Sequence, residues 1–108
     1  MKKLIILIAL ILMTFSGLKA QIIEAKIKTS GQCEHCKETI EKNLRFEEGV
    51  KKVNFDIESH IVRVKFDQKK TTIQTIQIDI TKLGYDADSL PADPIAYENL
   101  NACCKKQK

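Results

Sequence analysis

Cys33-Glu34-His35-Cys36 is the segment with the clearest chemistry, two thiols three residues apart at the point where a strand-like pattern gives way to a helical one. Such a pair can grip one soft metal ion or close a reversible disulfide, because thiolate sulfur is a soft ligand and also a nucleophile. The free amides at a helix start favour the thiolate form. Two more cysteines, Cys103 and Cys104, stand together near the end of the chain. Adjacent cysteines are poorly placed to bond each other, since a disulfide wants its Cα atoms about 5.5 Å apart. Bridges between the two pairs remain open on these grounds. No serine or cysteine is paired with a base in a hydrolytic pattern, and the chain is read as a non-enzyme.

The elements that must position these residues follow from hydrophobic periodicity. Ile23, Ala25 and Ile27 alternate with Glu24, Lys26 and Lys28, as in a half-buried strand. Thr29-Ser30-Gly31-Gln32 breaks the pattern, and from Cys33 the period changes: Cys36, Ile40 and Leu44 recur every four residues on a helix face. Gly49 ends that region. Val53, Phe55 and Ile57, then Val62, Val64 and Phe66, alternate again, and the short Glu58-Ser59-His60 segment between them predicts an antiparallel hairpin. His60, in that turn, reads as solvent-exposed.

Residues 72–84 admit two patterns. Ile73, Ile76, Ile80 and Leu83 fit a helix face capped by Thr72 and stopped by Gly84, whereas Ile76, Ile78 and Ile80 also alternate as in a strand. Length favours the helix. A short last strand is expected over Tyr85 to Asp88. The order strand, helix, strand, strand, helix, strand is the α+β, ferredoxin-like βαββαβ arrangement, one antiparallel sheet with two helices on one face. From Ser89 the character changes: Asp93-Pro94 reads as the cap and first position of a short helix, Tyr97 and Leu100 share a face, and Lys105, Lys106 and Lys108 read as a solvated, frayed end.

Residues 1–20 read as a signal peptide: Lys2 and Lys3, an uncharged apolar run from Leu4 to Met13, then Ser16, Gly17 and Ala20 as small residues before a cut after Ala20. The run falls short of the roughly 20 residues of a membrane span, so no stable span is expected once the leader is removed. The expected organisation is a signal peptide (1–20), a domain (21–88) and a C-terminal tail (89–108), in a periplasmic or otherwise exported protein. The chain's formal charge of +4 loses Lys2, Lys3 and Lys19 with the leader, which leaves 15 basic against 14 acidic side chains. That balance removes the main support for nucleic-acid binding.

Residues Ile22 to Asp88 resemble the heavy-metal-associated domain found in copper chaperones, metal-pumping ATPases and the periplasmic mercury-binding protein. The features that carry the resemblance are the strand into Cys33-x-x-Cys36, Ile40 and Leu44 on the first helix, Gly49-Val50 before the Val53/Phe55 strand, and Leu83-Gly84-Tyr85. The resemblance implies a soft metal bound by Cys33 and Cys36, with Cu(I) first and Zn(II) or Hg(II) as alternatives, and a metal-transporting membrane ATPase or efflux protein as partner. It implies an exposed His35 between the ligands and a Tyr85 that packs near the site without ligating. One departure stands out: the family usually carries Met two positions before the first cysteine, and here that position is Gly31.

Two thiolates can hold Cu(I) or Hg(II) in a nearly linear site that leaves room for an incoming ligand, which suits transfer. Zn(II) generally wants four ligands. Cys103 and Cys104 lie about 15 residues past the expected last strand, a reach of up to about 50 Å, so they can fold back as additional ligands. A free tail, a dimer contact, or disulfides to the first pair are the alternatives. The rival function is an exported thiol–disulfide redox protein using Cys33 and Cys36. Against it, Pro91 and Pro94 are the only prolines and neither stands where a thioredoxin-like site needs one. A third reading makes all four cysteines structural staples.

Overall fold

The computed structural model describes residues 2–5 and 21–106. Residues 2–5 are helical; the rest of the expected leader, with its cut after Ala20, lies outside the described residues. Among the described residues, no helix is long and apolar enough to cross a membrane.

Three strands form one antiparallel sheet in the order β1-β3-β2: β1 (Ile22–Lys28), β2 (Val50–Asp56) and β3 (Ile61–Asp67). The register opposes Ala25 and Val53 to Val64, and Ile27 and Phe55 to Val62, so the apolar positions of all three strands fall on one face. Those side chains are buried, whereas Glu24, Lys26, Asn54, Arg63 and Lys65 on the other face are exposed, as expected of a sheet solvated on one side. Helix α1 (Glu34–Arg45) contributes Cys36, Ile40 and Leu44 to the core, and α2 (Ile73–Lys82) contributes Ile76 and Ile80. Each fully buried side chain of this size adds about 1.5–3 kcal/mol of hydrophobic stabilisation.

The α2 segment resolves as a helix. Ile78 is 46% exposed while Ile76 and Ile80 are fully buried, which a strand with all three on one face would not give. Thr72 caps it, its hydroxyl accepting from the Thr75 amide, and Gly84 stops it at φ +106.

The expected strand over Tyr85–Asp88 is reduced to a single bridge, Thr29 to Ala87. Asp88 takes φ +51, and its carboxylate accepts the Lys28 amide at 3.0 Å. The Ala87 and Leu90 amides bond each other's carbonyls, so the chain turns back on itself before a ladder can grow. Of the end expected to be frayed, Lys105 and Lys106 form ion pairs with Glu98 and Asp86, and Lys108 lies outside the described residues; the short helix opened by Asp93-Pro94 is present. Helix α3 (Pro94–Glu98) is capped by Asp93, whose carboxylate accepts the Ala96 amide and whose own amide donates to the Thr81 carbonyl. A Cβ on Gly84 would stand 2.9 Å from the Ala96 carbonyl oxygen, so α3 packs directly on the turn that ends α2.

Asp79 of α2 lies beside Glu47, in the turn after α1. Burial, then the hydrogen bond and charge of Glu47, push its carboxyl up to about 6. A carboxyl raised in the folded state costs stability when ionised, and the cost fades as pH falls through about 6. Asp79→Asn should therefore raise the melting temperature at pH 7, with the gain shrinking towards pH 5. An equal gain at both pH values, read by circular dichroism, would refute the assignment.

Candidate metal centre

The loop between β1 and α1 is pinned on several sides. Thr29 is buried and bridges Ala87, and the Ser30 hydroxyl accepts the Asp86 amide at 2.9 Å. The Gly31 carbonyl accepts a hydrogen bond from His60 Nδ1 at 2.8 Å. His60 is thus half-buried and structural, not the exposed turn residue its position suggested. It also holds φ +60, a conformation that costs most side chains free energy. Gly31 itself is close-packed: a Cβ there would meet Ile40 Cδ1 at 3.2 Å and Cys36 Cβ and Phe55 Cζ at 3.3 Å. At this position, where the family resemblance leads one to expect a methionine, the Phe55 ring and the His60 bond close the loop.

Cys33 is the residue before the first turn of α1, in extended conformation, and its side chain makes no capping bond. Its sulfur is therefore available to other sulfurs. Cys36 lies one turn in, fully buried in the core. The tail then returns. A 3-10 turn over Ala102–Cys104 presents both tail cysteines to the loop, Cys104 buried and Cys103 exposed. Cys33 Sγ stands 2.9 Å from Cys36 Sγ, 3.1 Å from Cys104 Sγ and 3.2 Å from Cys103 Sγ. Cys36 and Cys104 are in disulfide contact, with Cα atoms 5.8 Å apart. Of the expected alternatives, the free tail is excluded, and the tail thiols join the first pair.

The tail is held there by Gln32, whose side-chain amide donates to the Cys103 and Lys105 carbonyls, and by an ion pair of Lys106 with Asp86. The Lys106 amide also donates to the Tyr97 hydroxyl. Burial alone would raise the Asp86 carboxyl, but Lys106 and the Ala92 amide hold it below its ordinary value. Gln32, His60 and Asp86 are the residues that sequence reasoning missed. None carries a periodic or motif signal, since each acts through a partner far along the chain.

Electrostatically, the cluster resists crowding several thiolates without a cation. The hydrogen bond with Cys33 raises the Cys103 thiol, with burial and the Cys33 charge adding to it. Tyr85 is fully buried nearby; burial, then the Cys33 charge, push its phenol up to about 12. It packs beside the sulfurs as expected, and His35 is exposed as expected, its carbonyl accepting from the Thr39 hydroxyl.

The heavy-metal-associated domain matches residues 32–86, from the residue before Cys33 to just past Tyr85. The chain belongs to this family. Within it, the chain is 33% identical over 61 residues to the copper chaperone CopZ of Staphylococcus epidermidis, covering 56% of this chain and 90% of that protein. The fold is similar to oxidized MerP from Ralstonia metallidurans CH34, with a TM-score of 0.60, 28% identity, and coverage of 63% of this chain and 96% of that one. It is also similar to the water-soluble region of the P-type ATPase CopA from Bacillus subtilis, with a TM-score of 0.61 and 32% identity, covering 65% of this chain and 47% of that one. Cys33 and Cys36 lie inside the family match; Cys103 and Cys104 lie beyond its end.

His60→Ala removes the bond to Gly31 and leaves an alanine at positive φ, and should cost about 1–2 kcal/mol. His60→Asn, which tolerates that backbone, should cost less. Urea denaturation checks both, and an unchanged stability in His60→Ala would show that the loop does not depend on this contact.

Proposed function

We propose that this protein is an exported carrier or scavenger of soft metal ions, with Cys33 and Cys36 as the defining ligands and Cu(I) as the leading cargo. The observation that carries the reading is the pairing of one buried and one half-exposed sulfur, 2.9 Å apart, at the amide-rich start of α1. Cu(I) suits two soft sulfurs, and Hg(II) shares that preference. The copper-chaperone relatives support copper as cargo, and the similarity to the soluble region of a P-type ATPase supports a metal-pumping membrane ATPase as partner. Export rests on the leader pattern of residues 1–20.

In transfer, an acceptor thiolate attacks the metal from the Cys33 side. A metal–sulfur bond to the acceptor forms as the bond to Cys33 breaks, and a second acceptor thiolate then displaces Cys36, which is seated in the core and releases last. The metal keeps its oxidation state, so no catalytic nucleophile or base is needed. This is a binding protein and not an enzyme.

A thiol–disulfide role is the second reading, favoured by the disulfide contact between Cys36 and Cys104. The two separate under reduction. A reduced chain should hold one Cu(I) against a competing chelator, and Cys33→Ser or Cys36→Ser should each weaken it by about 100-fold or more. Retained affinity in both variants would sink the site, and failure of the reduced chain to take metal would favour the redox reading.

A further inference from the structure

A two-thiolate carrier has no use for Cys103 and Cys104, yet a dedicated stretch of chain delivers them to Cys33 and Cys36. Asp93 caps α3 and ties it to the Thr81 carbonyl, and α3 seats on Gly84. Leu100 packs against the core. The Asp86–Lys106 pair and the Gln32 bonds then hold the last turn on the metal loop. These contacts come from three separate parts of the domain, so the tail is a built element of the site.

Its geometry suits a particular ligand class. A tetrahedral ion with metal–sulfur bonds of about 2.3 Å sets its sulfurs about 3.8 Å apart. Cys33 Sγ lies 2.9–3.2 Å from the other three sulfurs, and Cys103 and Cys104 are 3.8 Å apart. Opening the cluster by less than about an ångström along each Cys33 contact brings those three edges to the tetrahedral value, and the Cys36–Cys104 edge opens once their disulfide is reduced. Cys36 and Cys104 form the buried floor and Cys103 the exposed rim.

We propose that Cys33, Cys36, Cys103 and Cys104, when reduced, form a four-thiolate centre that takes a tetrahedral soft dication of the Zn(II) or Cd(II) class, beyond the Cu(I) that two sulfurs satisfy. The proposal rests on the preceding reading of Cys33 and Cys36 as ligands. It changes what the site does: an ion held on four sides leaves no open position for an acceptor thiolate, so the tail favours retention.

The test loads the reduced full chain with Cd(II) and, in parallel, with Cu(I). It reads chelator competition and the intensity of the thiolate-to-cadmium charge-transfer absorption, which grows with the number of bound thiolates. Cys103→Ser, at an exposed position, should lose about 100-fold in Cd(II) affinity and about a quarter of the absorption. Cys103→Ser with Cys104→Ser should lose about 10,000-fold and about half. Cu(I) affinity should change less than about tenfold in either, since two soft sulfurs satisfy it. Unchanged Cd(II) affinity and absorption in the exposed single variant would overturn the four-thiolate centre. A chain that holds Cu(I) through Cys33 and Cys36 but takes no Cd(II) would overturn it while leaving the two-thiolate reading intact. A reduced chain that binds neither ion would overturn both.

Discussion

Cys36 belongs to two structures at once. Its side chain lies in the hydrophobic core with Ile40 and Leu44, and its sulfur lies in the cluster at the mouth of α1. Packing in a protein interior leaves little freedom, so the core fixes where this sulfur is, and everything else at the site is arranged around it. Gly31 is close-packed against Cys36 and Phe55, His60 clamps the Gly31 carbonyl, and Cys33 follows two residues later. The position of this sulfur is thereby set by ordinary apolar burial.

The same economy extends to the tail. In a domain of this size each added contact matters, because a small core leaves little surplus stability. The tail brings its own cap, its own packing on Gly84 and a cross-chain ion pair, and it spends them on holding two more sulfurs at Cys33. A site that transfers metal needs an open position; a site that retains it needs closure. The tail carries both of its cysteines to that site, Cys103 at an exposed rim and Cys104 on a buried floor.

Much of this was legible in the sequence. The change of period at Cys33 placed the thiols on a helix start, and the alternation of Val53, Phe55, Val62, Val64 and Phe66 gave the hairpin that lies beneath them. Thr72, Gly84 and the Asp93-Pro94 pair marked helix ends by local chemistry, and those ends are where the structure has them. What could not be read depends on distant partners. Asp88 ends the last strand by bonding Lys28 across the sheet edge, and His60 leaves the solvent because Gly31 offers a carbonyl. Lys106 is ordered because Asp86 faces it. Periodicity and capping report what a residue does to its own segment, and these three act on another.

Native mass spectrometry of the reduced chain, offered Cu(I) in slight excess, tests the central claim that the sulfur cluster at the start of α1 is a soft-metal site. The account predicts a single added copper ion per chain, retained through gentle desolvation. A chain that stays metal-free, and returns to a mass lighter by the hydrogens of a disulfide once the reductant is removed, would contradict it.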